Sequence, residues 1–313
     1  MDVILHIGAH RTASTSFQTY VRQNRRSLAG QAIGFWGPAR LRKGLFHGVI
    51  PNPLLGQGDI AFARAQGRIG LHLDRSGACG ISQLIVSDEN MLGTMRQNIA
   101  TRQLYPCAGE RVARHIAAFR GAVKMIHISM RDLGSYWPSA LSFCIPRGVM
   151  VPTPERSNAL AEQRRDWRDV ITDVAIAAPD VPIFVSTYEQ FGSRPHQLMS
   201  YLIGRPAPAL GNQVWRNRRP AASELLRQPL SMREQAILTA KIYNDRWEPF
   251  SPSQCAALQE RYADDLFWLR SGSDGLATFL EDPTPLETRH PAQMGFVNKG
   301  QTYDTRQRLA RPG

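Results

Sequence analysis

Four short, mostly apolar runs divide the chain. They cover residues 3–7, stopped by Gly8; 84–87, followed by Asp88-Glu89-Asn90; 123–130, followed by Arg131-Asp132; and 182–187, followed by Tyr188-Glu189. Runs this short, without regular polar alternation, predict strands buried on both faces, as in a parallel sheet. Helical spacing lies between them. Phe17, Tyr20, Val21 and Leu28 share one face, with Arg22, Arg25 and Arg26 mostly off it. Further helices are predicted around 112–119, as one long element over 158–178 carrying Leu160, Trp167, Val170 and Ile171, and over 194–203, 223–243 and 252–269. Residues 30–80 are rich in Gly, Pro and Arg and read as loops with short helical pieces, and 271–313 reads as an irregular tail. Strands alternating with helices predict an α/β fold with a mainly parallel sheet.

Composition narrows the class. With 313 residues, 42% apolar and 20% charged, the chain is neither disordered nor fibrous, and its length fits one large domain or two small ones. The formal charge is +12, carried by 34 arginines and only four lysines. Such a balance reflects either a bias toward Arg or an anionic partner, and charge alone does not choose among nucleic acid, membrane, phosphorylated cofactor and acidic glycan. Cys79, Cys107, Cys144 and Cys255 have no metal-ligand spacing and are expected to be reduced and mostly buried. The first residues lack the basic start of a signal peptide, and no run approaches a membrane span. The expectation is a cytoplasmic protein.

The segment with most chemistry is residues 6–18, HIGAHRTASTSFQ. A buried strand stops at Gly8, a short turn follows, and Thr12, Ser14, Thr15 and Ser16 crowd the start of a helix. The N–H groups of a first helical turn lack intrahelical partners and carry the positive end of the helix dipole. With small Ala13 and cationic Arg11 alongside, this is a phosphate-binding arrangement. Thr12 or Ser14 could equally be a plain N-cap. The segment is not a Walker A loop, which needs a Gly-Lys pair before the hydroxyl.

Residues His10 to Ser16 resemble the 5′-phosphosulfate-binding loop of the bacterial sulfotransferase family, with Arg11 in place of the family lysine and Ala13 in place of a glycine. The alanine is a mild change if its φ is negative. A second match follows the third strand: Arg131, then Ser139 eight residues on. The resemblance implies that this pair grips the donor's 3′-phosphate. Pro138 suits the first turn of a helix, which would put Ser139 near another helix start. Weaker matches are Tyr188-Glu189-Gln190-Phe191, the basic stretch Arg216-Asn217-Arg218-Arg219, and residues 260–269.

The resemblance implies a three-layer α/β/α, P-loop-like nucleotide-binding fold over residues 1–270, with 30–80 as an insertion toward the acceptor. It implies 3′-phosphoadenosine 5′-phosphosulfate as co-substrate and no metal. Donor-binding residues would be Arg11, Thr12, Ala13, Ser14, Thr15, Ser16, Arg131, Ser139 and Arg218. Arg11 would also act in catalysis, at the leaving phosphate, and Arg11→Lys is expected to be tolerated. For the base, the family's glutamate branch points to Glu89, with Asp88 its close rival; a capping role for Glu89 is the plain alternative. His6 and His127 read as packed strand residues, and His10 as a loop-ordering one. The expected acceptor is a small molecule or a carbohydrate or lipid-linked hydroxyl, and carboxylates on it would suit the charge. Two rivals stand beside this reading: a family member that binds nucleotide without transfer, and a basic nucleic-acid-binding protein built around Trp215 and Arg216 to Arg219.

Overall fold

Each predicted apolar run is a strand in the computed structural model, which describes residues 1–51, 58–211 and 218–281. In chain order the strands are β1 (Asp2–His6), β2 (Ile33–Trp36), β3 (Gln83–Ser87), β4 (Val123–Met130), β5 (Ile183–Thr187), β6 (Ile242–Tyr243), β7 (Arg246–Trp247) and β8 (Thr278–Phe279). Six of them form one sheet in the order β2-β3-β1-β4-β5-β8, and every neighbouring pair is parallel.

Side-chain alternation gives the sheet two apolar faces. Val3, Leu5, Leu84, Val86, Ile126 and Ile128 pack into one core with Val112, Trp137, Trp167 and Leu258 from helices. Ile4 and Ile85 point the other way, against Phe17, Tyr20, Val21, Leu198 and Leu202. Helices thus cover both faces, giving three layers, and each fully buried large side chain stabilises the fold by about 1.5–3 kcal/mol.

Strand order also locates a crevice. From β1 the chain moves out to β2 and returns to β3; it then crosses to β4 and proceeds outward to β5. The winding reverses between β1 and β4, and in open parallel sheets ligands bind beyond the strand carboxyl ends at such a reversal.

Several elements differ from the sequence expectation. Residues 30–80 are not mostly loops: they contain the edge strand β2 and a 21-residue helix, Gly58–Ala78. Its inward stripe, Phe62, Ala65, Ile69 and Leu73, has helical spacing but is diluted by small residues and four glycines. The expected helix over 158–178 is two, Pro154–Glu162 and Trp167–Ala177, because Asp166 and Asp169 form a capping box that starts a new helix. The expected helix over 223–243 divides into Ala222–Leu226 and Met232–Thr239, the second opened by a Ser231–Glu234 capping box. It then gives way to the β6–β7 hairpin, whose two turn residues, Asn244 and Asp245, both have positive φ. Within the expected tail, Thr278–Phe279 joins the sheet beside β5. One compact unit spans Met1–Glu281; the remainder of the expected tail lies outside the described residues. The cysteines are unpaired as expected, but only Cys144 is buried and Cys79 is exposed.

Candidate functional site

The turn after β1 is tied to β4. Ile7 N–H donates to His127 O (3.0 Å), Ala9 N–H to Ser129 O (2.9 Å), and Ser129 N–H to Gly8 O (2.5 Å). The predicted loop is therefore fixed over the crevice. Thr12 and Ser14 hydroxyls both donate to Ala9 O, at 2.7 and 2.8 Å. They brace the loop from inside rather than capping the helix that follows, Ser14–Gln23. The N-cap of that helix is Ala13, without a side chain to cap it, and its first turn holds no acid. Its positive end thus faces the crevice without a protein carboxylate on the helix to offset it.

The condition under which alanine at position 13 would be a mild change is not met. The φ of Ala13 is +65°, so the residue occupies the left-handed region, as does Arg11 at +63°. A Cβ there costs about 1–2 kcal/mol, which gives a physical reason for glycine at that place in the resembling family.

The loop also leans on a buried polar network. His10 N–H donates to Tyr105 Oη (2.9 Å), and the Tyr105 hydroxyl donates to His10 Nδ1 (2.8 Å). His10 Nε2–H donates to Asn90 Oδ1 (3.1 Å), fixing the tautomer. Behind these, Asn98 Nδ2 donates to Tyr136 Oη (3.0 Å). Burial pushes His10 below its ordinary value. His6 and His127 are packed strand residues as expected: their rings stack at 5.2 Å, and burial takes His6 down to about 4.

Residues from the two separate motifs meet. Arg11 Nε donates to Ser139 Oγ (2.9 Å), 128 residues away, and Arg131 Nη1 donates to the Arg11 carbonyl (2.8 Å). The Arg11 guanidinium lies over Phe143 at 4.9 Å, while Arg147 lies over the same ring at 3.6 Å. Among the described residues, neither Arg11 nor Arg131 belongs to an ion pair. Burial, and then the neighbouring Arg131, bring Arg11 down to about 10, so it remains a cation at neutral pH.

Ser139 is not in a first helical turn. It lies seven residues into Leu133–Cys144, wholly buried, and Asp132 caps that helix by accepting from Gly134 and Ser135 N–H. Its observed role is to hold Arg11. Arg131 Nε donates to Ser135 Oγ (2.9 Å), and its guanidinium lies 4.3 Å over the Tyr188 ring. Glu189 Oε1 accepts from Asp132 N–H (3.1 Å) and Glu189 Oε2 from the Tyr262 hydroxyl (2.7 Å). The Tyr188-Glu189 element thus supports the Arg131 turn from below.

Glu89 stands at the end of β3, against the same loop: a Cβ on Gly8 would come within 2.8 Å of Glu89 Cβ. Its carboxylate accepts from Gln18 Nε2 (3.1 Å) and Arg42 Nη2 (3.0 Å). Burial works to raise Glu89, but His10, its own backbone, Arg42 and Gln18 prevail and hold it below the ordinary glutamate value. Asp88 is 3% exposed, takes the fork of Arg42 and accepts from Asn90 N–H at 2.9 Å.

Arg218 is exposed and makes none of these contacts; its neighbour Arg219 turns inward instead, toward Ser142 Oγ (3.4 Å) and Glu248 (3.0 Å). Trp215, Arg216 and Asn217 lie outside the described residues. A tight recess borders the loop between Thr12, Ala13, Ser129, Thr187 and Pro195. Its free space, about 10 Å³, is that of a single water. Sequence reasoning missed Gln18, which lies one turn into the predicted helix but carries no motif signal, and it missed Arg42, Tyr105 and Phe143, because each reaches the site from an element whose position no local pattern reveals. Among the described residues no His, Cys, Asp and Glu side chains group as a metal site requires, and no helix is long and apolar enough to cross a membrane. No protein-family model, curated protein or solved structure matches the chain.

Proposed function

We propose that the protein is a sulfotransferase, moving a sulfuryl group from 3′-phosphoadenosine 5′-phosphosulfate to an acceptor hydroxyl. One observation carries the reading. At the reversal point of a parallel sheet, an open helix N-terminus, two cations without ion-pair partners among the described residues and a carboxylate converge, and they come from the three segments the resemblance selects. Anions bind at such helix starts, and cations beside them add charge where the donor carries it.

In this reading the 5′-phosphosulfate lies over the turn of residues 8–16, and Arg131 takes the 3′-phosphate. The acceptor oxygen attacks sulfur while the sulfur–oxygen bond to the 5′-phosphate breaks, leaving 3′,5′-phosphoadenosine. Arg11 and the helix end offset the charge that grows on the leaving oxygen. Glu89, ionised at neutral pH, receives the acceptor proton. Unpaired cysteines fit a reducing, cytoplasmic setting. The charge of +12 favours an acceptor bearing carboxylates, on a small molecule, glycan or lipid.

The test is incubation with sulfur-labelled donor and a panel of glycan, lipid and phenolic acceptors, alongside Glu89→Gln. Label transfer that disappears in the variant supports the proposal. Tight binding of 3′,5′-phosphoadenosine with no transfer to any acceptor favours a non-catalytic nucleotide binder. Indifference to the nucleotide, with salt-resistant retention on nucleic acid, overturns both.

A further inference from the structure

The segment expected to be an irregular insertion delivers one side chain to the heart of the site. Arg42 sits in the turn Leu41–Leu45, whose end leucines are 1% and 6% exposed and anchor it in the core. From there its guanidinium spans two adjacent carboxylates. Nε and Nη2 donate to Asp88, the closest contact being 2.6 Å, and Nη2 also donates to Glu89 Oε1 at 3.0 Å.

This differs from an ordinary surface ion pair, which contributes little. The Arg42 side chain is 44% exposed, but those of Asp88 and Glu89 are only 4% and 15% exposed. Two carboxylates next to each other in so enclosed a place need a shared counter-charge. One guanidinium shared between them leaves a cluster with a single net negative charge, the capacity to take up one proton. The contacts also divide the labour. Asp88 is spent on the Arg42 fork and the Asn90 N–H, whereas Glu89 has one oxygen on Gln18 and the other on Arg42.

We propose that Arg42 is the positioning residue of Glu89, anchored by Asp88, and that Asp88 is therefore the anchor and not a second base. The proposal rests on the sulfotransferase reading for its catalytic meaning. Charged and titratable groups facing Glu89 are Arg42 from the Leu41–Leu45 turn, Asp88 beside it, His10 from the β1 turn, His6 from β1 and Tyr105 from beyond the network. Among these, Arg42 alone is a permanent cation.

The experiment is titration of the Glu89 side-chain carboxyl by ¹³C NMR in wild type and Arg42→Gln, with the signal assigned through Glu89→Gln. Removing the cation should raise the midpoint by about one pH unit. The acid limb of kcat/KM should move up equally, so that the loss is largest at low pH and fades as pH rises. Affinity for 3′,5′-phosphoadenosine should stay within about threefold. Should Arg42→Gln fail to fold, Arg42→Lys keeps the charge and loses the fork, and a smaller upward shift is expected. An unmoved midpoint overturns the proposal, as does a loss uniform in pH with weakened donor binding, which would mark a purely structural role. If no acceptor is ever found, the NMR midpoint still decides the role of Arg42, so failure of the two readings can be told apart.

Discussion

Replacing Arg11 by Lys separates a charge requirement from a geometric one. Sequence reasoning expects tolerance, because the chain favours arginine wherever a cation is enough. The structure predicts otherwise. Arg11 Nε donates to the wholly buried Ser139 hydroxyl, and its planar face lies over Phe143. A hydrogen bond to a charged group contributes about 1.5–3 kcal/mol, and a partly exposed cation–π contact about 0.5–1 kcal/mol. Lysine has neither the Nε nor the plane, so up to about 2–4 kcal/mol of aim is lost. The ammonium and the backbone N–H groups of the turn still bind anion, so part returns. We expect kcat to fall about 10–100-fold, equivalent to roughly 1.4–2.7 kcal/mol. The dissociation constant of 3′,5′-phosphoadenosine should change less than about threefold, since the loss falls at the leaving oxygen. The assay is steady-state transfer of labelled sulfate beside calorimetric nucleotide binding, run as a cycle with Ser139→Ala. That substitution should cost about tenfold in the wild type and nothing in the Arg11→Lys background, because the two side chains act through one contact. Wild-type turnover in Arg11→Lys, or equal Ser139→Ala losses in both backgrounds, would refute the reasoning.

Other expectations are more direct. Glu89→Gln should lower turnover by roughly 10²–10⁴ and leave donor binding nearly intact; survival of activity there, with loss in Asp88→Asn, would move the base to Asp88. Because Glu89 is held below its ordinary value, the acid limb of wild-type kcat/KM should lie below that value, and the stability Glu89 contributes is present above its unfolded value and lost as pH falls through the lower folded one. Arg131→Ala should weaken 3′,5′-phosphoadenosine by about 2–4 kcal/mol and spare a nucleotide lacking the 3′-phosphate, as isothermal calorimetry would show. Ala13→Gly should raise Tm by about 1–3 °C, since it removes left-handed strain at φ +65°, and a drop in calorimetric Tm would contradict that account. Tyr105→Phe leaves the buried His10 N–H without its acceptor and should cost about 1–3 kcal/mol in denaturant unfolding.

The sequence by itself determined whatever is local. Short apolar runs stopped by Gly8, Asp88, Arg131 and Tyr188 made the four central strands legible, because a strand buried on both faces has no polar alternation to confuse it. Hydroxyls crowded behind Arg11 marked the start of the helix Ser14–Gln23. Local pattern failed where a helical stripe was diluted by small residues and glycines, as in Gly58–Ala78, and where a capping box at Asp166 cut one apparent helix into two. It also could not decide the φ of Ala13, which is +65° in the folded turn. Only the tertiary structure decided which side chains meet. The parallel order of the sheet draws together chain segments more than a hundred residues apart, so that Ser139 holds Arg11, and lets Arg42 reach Asp88 and Glu89 from another part of the chain. Such pairings depend on strand order and on the turns that leave the strand ends, which is why no spacing along the chain foretold them.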